Sequence, residues 1–180
     1  MKCLSFKPKV SLIGMPGSGK TWMMRALEKE LCLEVQDLDH YFEKYCGMTI
    51  GQFWKQYGQK EFRSLERYCM MELLESQVSI IAMGGGTPCF FNNIEIIKDL
   101  SFSIYLKVNP IQLESQIDPN SRPLFDGILI NTNQINTLYQ QRRAWYERAD
   151  RIIFNNFYEP NVLDDVKMIC RTYFQSHINK

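Results

Sequence analysis

Gly14-Met15-Pro16-Gly17-Ser18-Gly19-Lys20-Thr21 spells G-x-x-x-x-G-K-[ST], the loop that cradles nucleotide phosphates. Val10, Leu12 and Ile13 before it suit a buried strand, and Met23, Ala26, Leu27 and Leu31 after it recur at helical spacing. The octet therefore has the strand-turn-helix setting that gives the motif its meaning. A triphosphate needs backbone N–H donors close to it, and Gly14, Gly17 and Gly19, with Pro16 and Ser18 between them, let the chain wrap without obstruction. The helix opening at Lys20 turns free N–H groups and a positive dipole end toward the anion, and the Lys20 ammonium neutralises β- and γ-phosphate charge. Thr21 offers its hydroxyl to magnesium. The alternative is a glycine turn with no ligand. Glycine makes up about 7% of average sequences, so four fixed positions match by chance in a chain of this size about 1% of the time or less.

The 180 residues, 45% of them apolar, contain no Pro/Gly/Ser-rich linker, which predicts one domain spanning residues 1–180. Net charge is +1, with lysines and arginines scattered along the chain. Neither a nucleic-acid nor a membrane-surface partner finds its electrostatic footprint. No apolar run reaches the length of a membrane helix, and Met1-Lys2-Cys3-Leu4-Ser5 lacks a signal peptide's apolar core, so a cytoplasmic location is expected. A monomer is expected, because no surplus apolar stripe is visible. Six cysteines without a C-x-x-C pair read as reduced packing thiols, and nine methionines as fillers of core gaps. His40 and His177 lack catalytic company and read as surface or hydrogen-bonding residues.

Apolar or β-branched runs at 9–13, 33–36, 78–83, 102–108 and 151–154 alternate with helical patterns, which predicts a parallel sheet covered by helices. Thr49 with Gln52 and Asn92 with Glu95 form capping pairs that mark helix starts. Ligands of such sheets gather beyond the carboxyl ends of the strands, and four groups of residues lie there or on loops. Asp37 and Asp39 follow the second strand in an extended segment, where carboxylates one residue apart point in similar directions, one suited to magnesium and the other to substrate, or both to a solvated acidic turn. Gly84-Gly85-Gly86 after the third strand either brings bare backbone N–H groups to a ligand or forms a plain turn. Arg63 with Glu66 one turn on reads alone as a surface i,i+3 ion pair. Arg122, in a proline-containing loop over 118–127, and Arg142, four residues before Tyr146, read singly as solvated surface. Beside a phosphate loop, three dispersed arginines suit a small anionic acceptor and a migrating phosphoryl group, because guanidinium forks bind carboxylate and phosphate at two points.

The order G-M-P-G-S-G-K-T, D-L-D, G-M-T-I, E-F-R-S-L-E, G-G-G, S-R-P-L-F and R-R-A-W-Y resembles the shikimate kinase family from Val10 to about Phe154. The resemblance implies an enzyme that moves the γ-phosphoryl group of ATP to the 3-hydroxyl of shikimate, on the route to chorismate and the aromatic amino acids. It implies a three-layer α/β/α fold with a five-stranded parallel sheet in order 2-3-1-4-5 and a mobile lid over about 115–127. It implies that Asp39 holds shikimate hydroxyls near the reacting oxygen, and that Asp37 and Thr21 serve Mg2+. Arg63 and Arg142 would grip the shikimate carboxylate, with Glu66 orienting Arg63. Gly84, Gly85 and Gly86 would line the substrate site, Arg122 would be the lid arginine over the phosphates, and Trp54 and Phe62 would stand beside the substrate ring. Lys20, Asp39 and Arg122 form the implied catalytic set.

The chain departs from the family pattern at several positions. Ser115, Gln116, Ile117 and Asp118 stand where a second lid arginine is usual, the stretch Asn155 to Pro160 lacks the usual base after the last strand, Ala144 replaces a proline, and Trp22 is large for its place. Adenine contacts are unassigned. Competing readings are a related kinase for gluconate or a nucleoside monophosphate, a non-enzymatic nucleotide-binding regulator, and an interaction module.

Overall fold

The structure, a computed structural model, describes residues 8–113, 116, 132–156 and 161–178. Five strands form one parallel sheet: β1 (Val10–Ile13), β2 (Val35–Asp37), β3 (Ile80–Ala82), β4 (Phe102–Lys107) and β5 (Arg151–Phe154). Their order is β2-β3-β1-β4-β5, as the resemblance implied. In register, Val10 faces Ile80 on one side and Phe102 on the other, and Lys107 faces Phe154 at the far edge. The helices are α1 (Lys20–Leu31), α2 (Leu38–Cys46), α3 (Ile50–Glu75), α4 (Asn93–Leu100), α5 (Pro110–Leu113), α6 (Thr132–Tyr146) and α7 (Val162–Ile178). A 3-10 turn, Thr87–Cys89, lies between β3 and α4.

The central strands carry buried residues on both faces, because helices cover the sheet on each side. Side chains alternate across a strand, so Val10, Leu12, Ile104 and Leu106 pack against α1 and α7 through Met23, Leu27 and Val166. Ile13, Ile81 and Tyr105 point the other way, toward Leu38, Phe42 and Met70. Each such side chain, fully removed from water, contributes about 1.5–3 kcal/mol. Met23, Met24 and Met70 are fully buried, which is the gap-filling role expected of the methionines.

Local chemistry sets the element ends that matter for the site. Thr49 and Gln52 form the expected capping box at the start of α3, with Gln52 N–H on Thr49 Oγ1 at 3.2 Å and Thr49 N–H on Gln52 Oε1 at 2.9 Å. The second expected pair does not form. Asn92 occupies the N-cap position of α4, but its Oδ1 accepts from Arg67 Nη1 at 2.7 Å, and Glu95 pairs with Arg148. Helix α3 is interrupted at Gly58, where φ is 81° and ψ is 176°. Eight residues of straight helix span about 12 Å, yet the rings of Trp54 and Phe62 lie 5.2 Å apart because the chain turns between them. Phe42 completes that cluster, 5.1 Å from both Phe53 and Phe62.

Among the described residues no helix is long and apolar enough to cross a membrane. His177 is exposed and bonds the carbonyl of Tyr173, in keeping with its expected minor role.

Candidate active site

The phosphate loop joins β1 to α1, and its glycines do the work their conformations require. Gly19 caps α1 in the left-handed region at φ 83°, with no side-chain cap on the helix, so the first N–H groups of α1 face the loop. Gly14, at φ 145°, also meets a steric limit: a Cβ there would lie 2.7 Å from the carbonyl oxygen of Leu106. Lys20 is buried, and its Nζ donates to the carbonyls of Gly14 at 3.0 Å and Met15 at 2.8 Å. The loop is braced from the far end of the chain. Buried Asn155, just past β5, donates its Nδ2–H to the carbonyl of Ser18 at 2.9 Å.

Thr21 and Asp37 come together across β2. The Thr21 hydroxyl donates to Asp37 Oδ2 at 2.6 Å, and Asp37 Oδ1 caps α2 by accepting from the N–H groups of Asp39 and His40. A hydroxyl and a carboxylate oxygen side by side are hard donors, and Mg2+ takes one or two such ligands plus phosphate oxygens and water. The residues present therefore fit the ion. Asp39 is already in the first turn of α2, not in the extended segment that the sequence led us to expect for both aspartates. That turn separates their directions. Asp37 faces Thr21, and Asp39 Oδ1 lies against Gly84, 2.7 Å from where a Cβ would stand.

Gly84, Gly85 and Gly86 all have negative φ, so no left-handed conformation calls for glycine there. They are glycines because other elements press on them, which rules out a plain flexible turn. A Cβ on Gly84 would collide with Asp39, Thr87 and Glu66, one on Gly85 with the Pro16 ring, and one on Gly86 with the Arg63 guanidinium. The triplet is the point where the phosphate loop, α2 and α3 meet. Helix α6 joins them there: Arg142 Nη1 donates to the carbonyl of Gly85 at 3.3 Å, and the Tyr146 hydroxyl donates to the same oxygen. Burial raises the Tyr146 pKa, which keeps that donor protonated.

Arg63 and Glu66, expected as a surface pair, are both buried. Arg63 Nη1 donates to Glu66 Oε2 at 2.6 Å, and the guanidinium lies over the rings of Phe90 at 4.0 Å and Phe62 at 4.8 Å, with Trp54 at 5.8 Å. Burial leaves the Glu66 carboxyl raised above its usual range, against the opposing pull of Arg63 and of the Thr87 hydroxyl at 2.8 Å. Arg142 is 6% exposed and, among the described residues, has no carboxylate partner. A buried cation without a counter-ion carries a large desolvation cost, and an anionic ligand placed between Arg142 and Arg63 would relieve it.

The structure thus assembles Lys20, Thr21, Asp37, Asp39, Arg63, Glu66, the glycine triplet and Arg142 around one segment, with Trp54 and Phe62 beside it. Arg122 and the 118–127 loop lie outside the described residues. Three participants escaped the sequence reading. Thr87 and Phe90 act on Arg63 from a turn that follows the glycines, and Asn155 acts on the phosphate loop. A polar residue directly after the last strand was the one available signal for Asn155.

A family model described as "Shikimate kinase" matches residues 16–175. The chain is 31% identical over 167 residues to a shikimate kinase of Phocaeicola vulgatus, covering 89% of this chain and 91% of that one. It superposes on a shikimate kinase from Acinetobacter baumannii in complex with shikimate with a TM-score of 0.83, at 25% identity and over 97% of each chain. A gluconokinase from Sinorhizobium meliloti shares the fold alone, with a TM-score of 0.57 at 11% identity over 95% of this chain and 93% of that one.

Proposed function

Because this chain belongs to the shikimate kinase family, we infer that it transfers the γ-phosphoryl group of ATP to the 3-hydroxyl of shikimate, giving ADP and shikimate 3-phosphate. The observation that carries the acceptor assignment is the pair of buried arginines. Arg63 and Arg142 reach the Gly85–Gly86 backbone from different helices, and Arg142 has no acid to pair with among the described residues. A carboxylate held between two guanidinium groups matches one end of shikimate and fixes its ring beside Trp54 and Phe62.

Phosphoryl transfer needs in-line positioning and charge stabilisation more than covalent help. The phosphate loop holds ATP with its backbone N–H groups, and Lys20 exchanges its carbonyl partners for phosphate oxygens. Mg2+, held by Thr21 and Asp37, neutralises phosphate charge when bound. Asp39 accepts the hydrogen bond of the attacking hydroxyl and receives its proton at a carboxylate oxygen as the bond to phosphorus forms and the bond from that phosphorus to the β–γ bridging oxygen breaks, releasing ADP. The family resemblance assigns Arg122 to a lid over about 115–127 that would close on the phosphates and exclude water, which would otherwise make the enzyme an ATPase. The protein works as a cytoplasmic monomer of one domain.

The test is ADP release by the purified protein with ATP and Mg2+, comparing shikimate, gluconate, nucleoside monophosphates and no acceptor. Stimulation by shikimate alone supports the reading. Stimulation by another acceptor replaces it with a different kinase on the same fold, and release without any acceptor replaces it with a nucleotide hydrolase.

A further inference from the structure

We propose that Thr87 is a positioning residue for the acceptor site: its hydroxyl fixes the Glu66 carboxylate, and through it the guanidinium of Arg63. This deepens the reading above and rests on Arg63 gripping the shikimate carboxylate. Thr87 is fully buried in the turn that follows the glycine triplet, and its Oγ1 donates to Glu66 Oε1 at 2.8 Å. The other oxygen of Glu66 accepts from Arg63 Nη1 at 2.6 Å. The carboxylate is therefore held at both ends, one end from α3 and the other from the β3–α4 connection.

Arg63 needs that second support because of how it is held. Phe62 and Phe90 lie on the guanidinium and restrict its tilt, but flat aromatic faces leave it free to turn in its own plane. Among the described residues its buried Nε has no hydrogen-bond partner, so Glu66 grips one terminal nitrogen and does not form the two-point fork that would lock rotation. The torsion that turns a glutamate carboxylate is broad. Without the Thr87 hydroxyl, Glu66 can rotate and carry Arg63 Nη1 with it.

Thr87 is itself anchored independently of any ligand. Its N–H donates to the carbonyl of Gly84 at 3.1 Å, and its carbonyl accepts from Asn93 Nδ2 at 2.8 Å. Fully buried Asn93 in turn accepts from Arg67 Nη1 at 3.1 Å, and Arg67 lies one turn beyond Arg63 on α3. The loop from Arg63 through Glu66, Thr87 and Asn93 to Arg67 closes on the same helix. This is why the orientation of Arg63 is a property of the framework.

A packing role and a positioning role separate by experiment. Thr87→Val keeps the shape and removes the donor. Thr87→Ser keeps the donor, and Thr87→Ala supplies a second donor-free protein if valine prevents folding. Steady-state kinetics should show the shikimate KM rising about five- to twentyfold in Thr87→Val. The ATP KM should stay within about twofold in that variant, and Thr87→Ser should restore the shikimate KM to a similar margin. In a Glu66→Gln background, Thr87→Val should add no further rise, because the path through Glu66 is already broken. An unchanged shikimate KM in both donor-free proteins, or an additive rise in the double variant, overturns the proposal. Arg63→Ala is measured in parallel. If its shikimate KM does not rise, the assignment of Arg63 falls. If it rises while the Thr87 variants do nothing, only the role of Thr87 falls.

Discussion

Arg63 lies so close to Gly86 that a Cβ built on the glycine would stand 2.7 Å from Nη2 and 3.0 Å from Cζ. The far end of an arginine usually swings away from such a contact at little cost. This one lies against the rings of Phe62 and Phe90 and is held by Glu66, so moving it away strains an ion pair. Gly86→Ala should therefore raise the shikimate KM about tenfold or more while leaving the ATP KM within about twofold. Steady-state kinetics with each substrate varied in turn check this, and equal loss toward both substrates would contradict it.

Arg122 rests on the sequence, where S-R-P-L-F resembles the lid segment of the family. Removing a single charge stabiliser from a developing transition state typically costs two orders of magnitude or so in turnover. Arg122→Ala should lower kcat by several tens-fold or more in a coupled ADP assay. Near-normal turnover would take this arginine out of the lid role.

Three of the thiols are held in the protonated state. Burial pushes Cys89 up to about 11, against the pull of Arg142 and Tyr146, and pushes Cys69 and Cys170 up to about 12. Since the thiolate is the nucleophile, all three should resist alkylation at pH 8 in the native protein. Among the described cysteines, exposed Cys32 should react first with iodoacetamide. Peptide mass spectrometry after brief labelling reads the order directly, and early modification of Cys89 would contradict the burial argument.

Glu95 in the first turn of α4 is held below its usual pKa, first by the backbone N–H of the helix start and then by Arg148 at 2.8 Å. A carboxyl whose folded pKa is depressed adds stability above its unfolded value, about 4.3 for Glu. That contribution disappears as pH falls through the folded value. Glu95→Gln should therefore lower Tm slightly at pH 6–7, and the gap should close toward pH 3. Thermal unfolding across that range checks the sign, and a gap that widens in acid would reverse it.

Features encoded locally were legible before any coordinates. The phosphate loop, the strand-helix alternation and the Thr49–Gln52 box each depend on residues within a few positions of one another, where spacing alone constrains geometry. The Asn92 cap failed for the opposite reason. Arg67, 25 residues earlier, takes the asparagine oxygen that the helix start was expected to use. The same distance effect hid the burial of Glu66, whose second partner Thr87 comes from 21 residues away on a different element. The sequence predicts an extended segment for both Asp37 and Asp39, because two carboxylates with one residue between them do not reveal that the first caps a helix beginning at once. Gly58 gave no warning either. A lone glycine in an amphipathic pattern is tolerated as helix, and only the packing of Trp54 back onto Phe62 shows the turn.

The hydrogen bond from Asn155 to Ser18 joins residues 137 positions apart. Protein synthesis runs from the amino end, so the phosphate loop leaves the ribosome long before the side chain that steadies it exists. A nascent or truncated chain ending before β5 has every residue of the nucleotide motif and lacks its brace. The braced form of the phosphate loop thus arrives with the last strand, and the polypeptide lacks that contact until its fold is nearly complete.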